Sequence, residues 1–379
     1  MLRSAQHDIA AKLGCWTSSS YPFLPRTGRR AVAALLVPSL LLAACSPVGR
    51  PLPAVPTPAP TPVPAISFPR DAGSHDSLIE WWYYTGQLRT DSGAEYGFEF
   101  TVFQVNRLDS PTGYLAHFAV TDIGGQRFSH QARSVSGAFQ PGFDFTVGGW
   151  RLSSTNGQDF IEAQMATGPG AEAPFGLSLQ LRDLKPPVLH SGGYINYGDA
   201  GGSYYYSRTR IDASGSLRMP DGTPQRVTGQ AWMDHQWGNF VVAESGGWDW
   251  FSVQLEDQTE LMLYVLRAPD GQTTAVYGSQ VAADGSVGDI PPGAVRIDVL
   301  DRWTSPNTGA TYPSGWLIEI PSQQLRLRVE PAVKNQELYF PGSNGQAGPT
   351  YWEGAVTIRS EGAQGANGVG YVELTGYAR

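Results

Sequence analysis

An all-β chain folded as two antiparallel barrels side by side is what this sequence predicts, and three observations predict it. Strand signals dominate: EYGFEFTVFQV from Glu95, YLAHFAV from Tyr114, ELMLYVL from Glu260 and QLRLRV from Gln324 all alternate or are rich in β-branched and aromatic residues. Turn sequences such as DSG, DIGG, DASG and PDG fall between them, with 45 glycines and 29 prolines in 379 residues and no helical stripe of ten or more residues in the mature part. The third observation is a repeat. EWWYYTGQL from Glu80 aligns without gaps with GWDWFSVQL from Gly247, matching Trp81 with Trp248, Gln87 with Gln254 and Leu88 with Leu255. TNG after Ser154 then answers to NTG after Pro306, SYYYSRTRI from Ser203 to TYWEGAVTI from Thr350, and TGQAW from Thr228 to TGYAR from Thr375. A small barrel of about eight strands encloses side chains or one apolar ligand, and the aromatic load here suits either.

The front of the chain carries a compartment signal. RTGRR, from Arg26 to Arg30, precedes an apolar run from Ala31 to Ala44 and the sequence Leu42-Ala43-Ala44-Cys45-Ser46. The run is shorter than the roughly 20 residues of a spanning helix, so it predicts a secretory signal. Residues 1–25 lie outside this pattern, and an internal translation start is one reading of them. The cysteine at the cut resembles a bacterial lipoprotein signal, which implies removal of residues 1–44, lipidation of Cys45 and attachment to the membrane of the cell envelope. A plain signal peptide with an incidental cysteine is the alternative. Residues 45–67, with PTPAPTPVP, are a proline-rich tether that favours extended conformation over a core. Cys15 leaves with the signal and Cys45 is occupied by lipid, so no disulfide is expected despite export.

About 310 residues follow the tether, enough for two domains of ordinary size. We place a first domain at 68–240 and a second at 241–379. The formal charge of −8 and the scarcity of lysine exclude nucleic acid as a partner.

Chemistry is sought in what one copy has alone. The pentapeptide Asp234-His235-Gln236-Trp237-Gly238 follows TGQAWM in the first copy, whereas the second stops at Arg379 after its matching segment. In an alternating strand Asp234 points with Trp232, and His235 points the other way with Met233 and Trp237. An aspartate walled by indoles loses solvation of its charged form, so its pKa rises and it can serve as a general acid. The bland alternative is a turn-capping aspartate and a hydrogen-bonded histidine. Glu80-Trp81-Trp82-Tyr83-Tyr84 is the second candidate: two rings fall on each strand face, some in a core and some in a cavity or against the other domain. Glu80 is either catalytic or bonded to backbone or arginine. His75 can reach the same end of the barrel, but His75, Glu80 and His235 lack compact ligand spacing, so no metal is expected. His117 is read as buried or cavity-facing, His130 and His190 as loop residues. Arg208 and Arg210 can pair with carboxylates or hold an anionic group, and are read by default as charges on the sheet surface. Tyr264 is a possible proton donor or ligand contact. No esterase elbow, phosphate loop or dinucleotide fingerprint is present.

Taken together, EWWYYTGQL, HFAV, YYYSRTR, TGQAWMDHQWG, WDWFSVQL, SPNTGATYPSGW and YWEGAV resemble the lipocalin-like superfamily of AttH and carotenoid 1,2-hydratase over about residues 68–379. The resemblance implies two tandem lipocalin-like barrels with a pocket at or near their interface. Its hydratase branch implies that its aspartate, histidine, tryptophan and tyrosine correspond to Asp234, His235, Trp237 and Tyr264, with Asp234 giving the proton and His235 tuning it or positioning the water. Glu80 joins Asp234, His235 and Tyr264 as a catalytic candidate from its place at the head of the aromatic strand. Trp81, Trp82, Tyr83, Trp237, Trp248 and Trp250 would then supply rings around an apolar isoprenoid or polyene. No cofactor is implied. The expectation is an exported lipoprotein that binds such a molecule and hydrates a C=C bond; the alternatives are a non-catalytic lipid carrier and a secreted hydrolase of unknown substrate.

Overall fold

A computed structural model describes residues 63–379 except 108–109, 168–173, 198–200, 241–245, 341–349, 364 and 379. The signal segment, Cys15, Cys45 and most of the tether lie outside the described residues. Among the described residues no helix is long and apolar enough to cross a membrane. The described chain is almost all strand and forms two large antiparallel sheets, each curled into a nearly closed barrel.

The first sheet is built from β1 (Ile79–Thr90), β2 (Glu95–Val105), β3 (Thr112–Asp122), β4 (Arg127–Gly137), β5 (Asp144–Val147), β6 (Trp150–Thr155), β7 (Gln158–Gln164), β8 (Gly176–Asp183), β9 (Val188–Asn196), β10 (Gly201–Arg218) and β11 (Pro224–Phe240). Its order is β4-β3-β2-β1-β11-β10-β8-β7-β6-β5, with β9 also paired to β10. The second sheet uses β12 (Gly247–Leu255), β13 (Glu260–Arg267), β14 (Thr273–Val281), β15 (Val287–Ile290) and β16 (Arg296–Val299). A small hairpin of β17 (Arg302–Thr304) and β18 (Thr311–Pro313) follows, then β19 (Trp316–Ile320), β20 (Leu325–Pro331), β21 (Glu337–Tyr339), β22 (Thr350–Ser360) and β23 (Gly368–Leu374). The order is β15-β14-β13-β12-β23-β22-β20-β19-β16, so each barrel joins its first strand to its last. His130 and His190, expected in loops, stand on β4 and β9.

Strand alternation sorts the side chains into three cores. Trp82, Tyr84, Phe98, Phe100, Phe118 and Trp150 fill the first barrel, and Phe251, Trp316, Leu327 and Trp352 fill the second. Between the barrels lies a third cluster of Tyr83, Tyr205, Trp232, Trp250, Met262, Ala355 and Tyr371. Burying each such ring stabilises the fold by ~1.5–3 kcal/mol relative to exposure. The barrels approach closely at Gly97, where a Cβ atom would lie 2.7 Å from both Ala355 Cβ and Tyr371 Oη.

The repeated glutamines show how the copies meet. Gln87 Nε2 donates to the carbonyls of Val356 (2.9 Å) and Gly370 (3.3 Å) in the second barrel. Gln254 Nε2 donates to those of Thr209 (2.8 Å) and Ala231 (3.0 Å) in the first. Such reciprocity is the signature of a two-fold-like contact between equivalent surfaces.

One part of the expected repeat is corrected by strand register. Tyr83 pairs with Asp234 on β11, and its equivalent Trp250 pairs with Glu373 on β23. TGQAW therefore corresponds to the stretch beginning at Asn367, not to TGYAR, and the second copy does continue to the position of Asp234. That position holds Glu373.

Candidate functional site

β1 pairs along its whole length with β11, and the two carry most of the predicted residues, with Glu80 opposite Trp237, Trp82 opposite His235 and Tyr83 opposite Asp234. The pleat divides them. Trp81, Tyr83 and Asp234 face the second barrel, on the side of the inter-barrel cluster to which Trp248, Trp250 and Tyr264 contribute from that barrel, whereas Glu80, Trp82, His235 and Trp237 face the interior of the first barrel. The alternation expected around Asp234 is therefore found. The expectation that His235 tunes Asp234 fails for the same reason, since the two side chains lie on opposite faces of β11.

Between the barrels, Asp234 is fully engaged. Trp232 Nε1 (2.6 Å) and the Ser207 hydroxyl donate to its Oδ1, and the Tyr205 hydroxyl donates to Oδ2 (2.5 Å). Trp250 Nε1 in turn donates to Tyr205 Oη at 3.2 Å. Burial pushes the Asp234 carboxyl up to about 6, against the three donors that favour its ionised form. Its counterpart Glu373 has one donor among the described residues, Trp248 Nε1 at 2.9 Å, and burial takes it to about 7, with the Asp234 charge adding to the rise. Two more carboxyls share this face. Glu99 is raised to about 8 by burial, and Glu353, which accepts from the Tyr83 hydroxyl at 2.6 Å, is driven well above the usual carboxylate range by burial and by the charges of Glu373 and Glu99. His117 Nδ1 meets the Tyr351 hydroxyl at 2.6 Å, and burial lowers this imidazole to about 3. Burial also holds the Tyr264 phenol well above its ordinary value, so that it keeps its proton. Thr85 Oγ1, Glu99 Oε2, His117 Nε2 and Glu353 Oε2 are buried here without a hydrogen-bond partner among the described residues.

His190, which carried no signal in the sequence, joins this site: Nε2 lies 2.7 Å from Ser207 Oγ and Nδ1 lies 3.0 Å from Ser279 Oγ. Serine here stands between histidine and aspartate. In a hydrolytic triad the histidine is central, so the arrangement does not make Ser207 a nucleophile.

At one end of the first barrel, Glu80 Oε1 lies 2.7 Å from both His75 Nδ1 and His235 Nε2. Glu80 Oε2 accepts from the His75 backbone N–H at 2.7 Å and from Gln104 Nε2 at 3.2 Å. His235 Nδ1 reaches the Tyr206 hydroxyl at 3.2 Å, and His75 Nε2 reaches Asp71 Oδ1 at 3.4 Å. Trp237 stacks on His75 with ring centroids 4.1 Å apart, and Trp82 stacks on His235 at 4.7 Å. Burial lowers the His235 imidazole below its ordinary value, against the pull of Glu80.

Arg208 and Arg210 are not sheet-surface charges. Arg208 pairs with Asp159 and Asp183, and Arg210 pairs with Glu260, which also receives Lys185 Nζ at 2.7 Å. Beside this second pair lies a cleft of about 640 Å³ between the barrels, lined by Leu184, Lys185, Arg210, Gln230, Gln254 and Glu256 among others. None of the predicted site residues lines it. Gln230 and Asp234 do share one face of β11, about 13 Å apart at the usual strand rise.

The AttH-like family model matches residues 59–377. The chain belongs to the AttH-like family. The crystal structure of an AttH protein from Nitrosomonas europaea is 30% identical to this AttH-like chain, covers 84% of it and 99% of its own length, and superposes with a TM-score of 0.74. Kievitone hydratase from Nectria haematococca is 16% identical, covers 82% of this chain and 93% of its own, and shares the fold with a TM-score of 0.65. No curated protein matches the chain.

Proposed function

We propose that this AttH-like protein is an exported lipoprotein, anchored through Cys45, that takes an apolar isoprenoid or polyene between its barrels and adds water to one of its double bonds. The observation that carries the reading is the pair of buried carboxyls at equivalent positions, Asp234 and Glu373, whose surroundings push their pKa values apart. Glu373 supplies its proton to one alkene carbon, and rings such as Trp250 and Tyr83 stabilise the cation on the other. Water attacks that cation while Asp234, kept the more acidic by three donors, takes the proton that water loses. The C=C bond becomes C–H and C–OH. Return of the proton from Asp234 to Glu373 then resets the site. The cleft at Gln230 offers an entry on the same strand face.

A non-catalytic carrier is the second reading, favoured by the complete engagement of Asp234 in hydrogen bonds. Native mass spectrometry separates the two after incubation of the protein with extracts of its own membranes. A retained lipid heavier by one water, formed by the parent protein and not by Asp234→Asn, is the expected result. A retained but unaltered lipid would make the protein a carrier.

A further inference from the structure

We propose that His75, Glu80 and His235 form a site for one divalent cation of the zinc class. His75 Nδ1, Glu80 Oε1 and His235 Nε2 all lie within 4.8 Å of one another. Two imidazoles and one carboxylate are a ligand set that zinc sites use when a fourth position stays open. Insertion of an ion at ~2.0–2.2 Å from each ligand replaces the shared protons and widens the 2.7 Å contacts.

Three independent features support a cation here. First, every ligand has an outer partner that would orient it: Asp71 on the far nitrogen of His75, Tyr206 on that of His235, and both Gln104 and the His75 N–H on the second oxygen of Glu80. Second, Glu80 is completely buried, yet no lysine or arginine is among its hydrogen-bond or ion-pair partners in the described residues. A buried carboxylate without a cation is costly, and a bound metal supplies the compensation. Third, Gln104 Oε1 is buried without a partner among the described residues. Its amide nitrogen is committed to His75 O (2.9 Å) and Glu80 Oε2, so the carbonyl oxygen is left to accept from a group such as a metal-bound water. The His75 side chain, 21% exposed, marks the entry path.

The test uses the full-length, untagged protein in detergent, stripped with a chelator and titrated with Zn²⁺ by calorimetry, with Co²⁺ substitution read by visible absorption. One ion per chain and a cobalt spectrum of low coordination number are expected. His75→Ala should weaken zinc binding at least ~100-fold and Tyr206→Phe ~10–100-fold. Near-UV circular dichroism reports folding, and His75, reaching solvent, is replaceable where Glu80→Gln fails to fold. Asp234→Asn, on the other face of β11, should bind zinc as the parent does, so the cation site and the hydration reading stand or fall separately. Absence of stoichiometric binding by the parent, or equal affinity in His75→Ala, would overturn the proposal and leave a His–Glu–His hydrogen-bond chain.

Discussion

The two barrels agree where they touch and differ where they end. At equivalent positions of the interface the first carries Asp234 and the second Glu373, and Gln87 and Gln254 grip each other's barrels in the same way. At the positions of Glu80 and His235 the second barrel has Gly247 and Leu374. Its own end is closed differently, by Asp249 against Arg267 at 3.2 Å, with the Tyr377 hydroxyl at 3.0 Å and the Arg267 guanidinium 3.9 Å over the Tyr377 ring. A duplicated β-domain thus keeps its acid at the shared interface. The imidazole–carboxylate group belongs to one copy, whereas the other neutralises its buried carboxylate with arginine.

The largest effects should appear at the shared positions. Asp234→Asn and Glu373→Gln should each lower turnover ~10²–10⁴-fold, the range for losing a positioned acid or base, while ligand remains bound. Equal turnover in either variant would break the equivalence as a catalytic pair. Next, Arg267→Met leaves Asp249 buried without its cation and should cost ~3–5 kcal/mol in denaturant unfolding. A near-neutral result would mean that Asp249 is protonated in the fold; burial already raises it to about 6.

Acidity provides a third test. Asp234, Glu373 and Glu99 are raised to about 6, 7 and 8, from ordinary values of 3.8 for aspartate and 4.5 for glutamate. Between those limits the folded chain holds more protons than the unfolded one, so unfolding free energy falls as pH rises. The contribution of these groups is complete below the unfolded pKa values and is lost as pH climbs through 6, 7 and 8. Each contributes a slope of ~1.4 kcal/mol per pH unit within its interval. Glu99→Gln should flatten the profile above pH 7, and a profile insensitive to that change would contradict the assignment. The smallest effect concerns symmetry itself: Gln87→Ala and Gln254→Ala should destabilise by similar amounts, ~1–3 kcal/mol each, because each strands two buried carbonyls.

Much of this was legible in the residues. Alternation in TGQAWMDHQWG already separates Asp234 from His235, and the repeat pairs Gln87 with Gln254, whose place at the contact between barrels only the folded sheets reveal. Glu373 was hidden because GVGYVEL reads as an ordinary strand, and the repeat was set eight residues out of register at its last segment. Burial of Arg208 and Arg210 depends on Asp159, Asp183 and Glu260, partners far away in the chain that only the closed sheets bring near. His75, Glu80 and His235 could be named together in the sequence but not supported as a ligand set, because the third member lies 155 residues beyond the second and compact ligand spacing is absent.

The most direct test of the inter-barrel acid pair is incubation of the lipid-loaded protein in heavy-oxygen water, with mass spectrometry of the released lipid. Heavy oxygen in a new hydroxyl, formed by the parent and lost in both Asp234→Asn and Glu373→Gln, is the predicted result. Lipid released without label, or labelled equally by the variants, would contradict it.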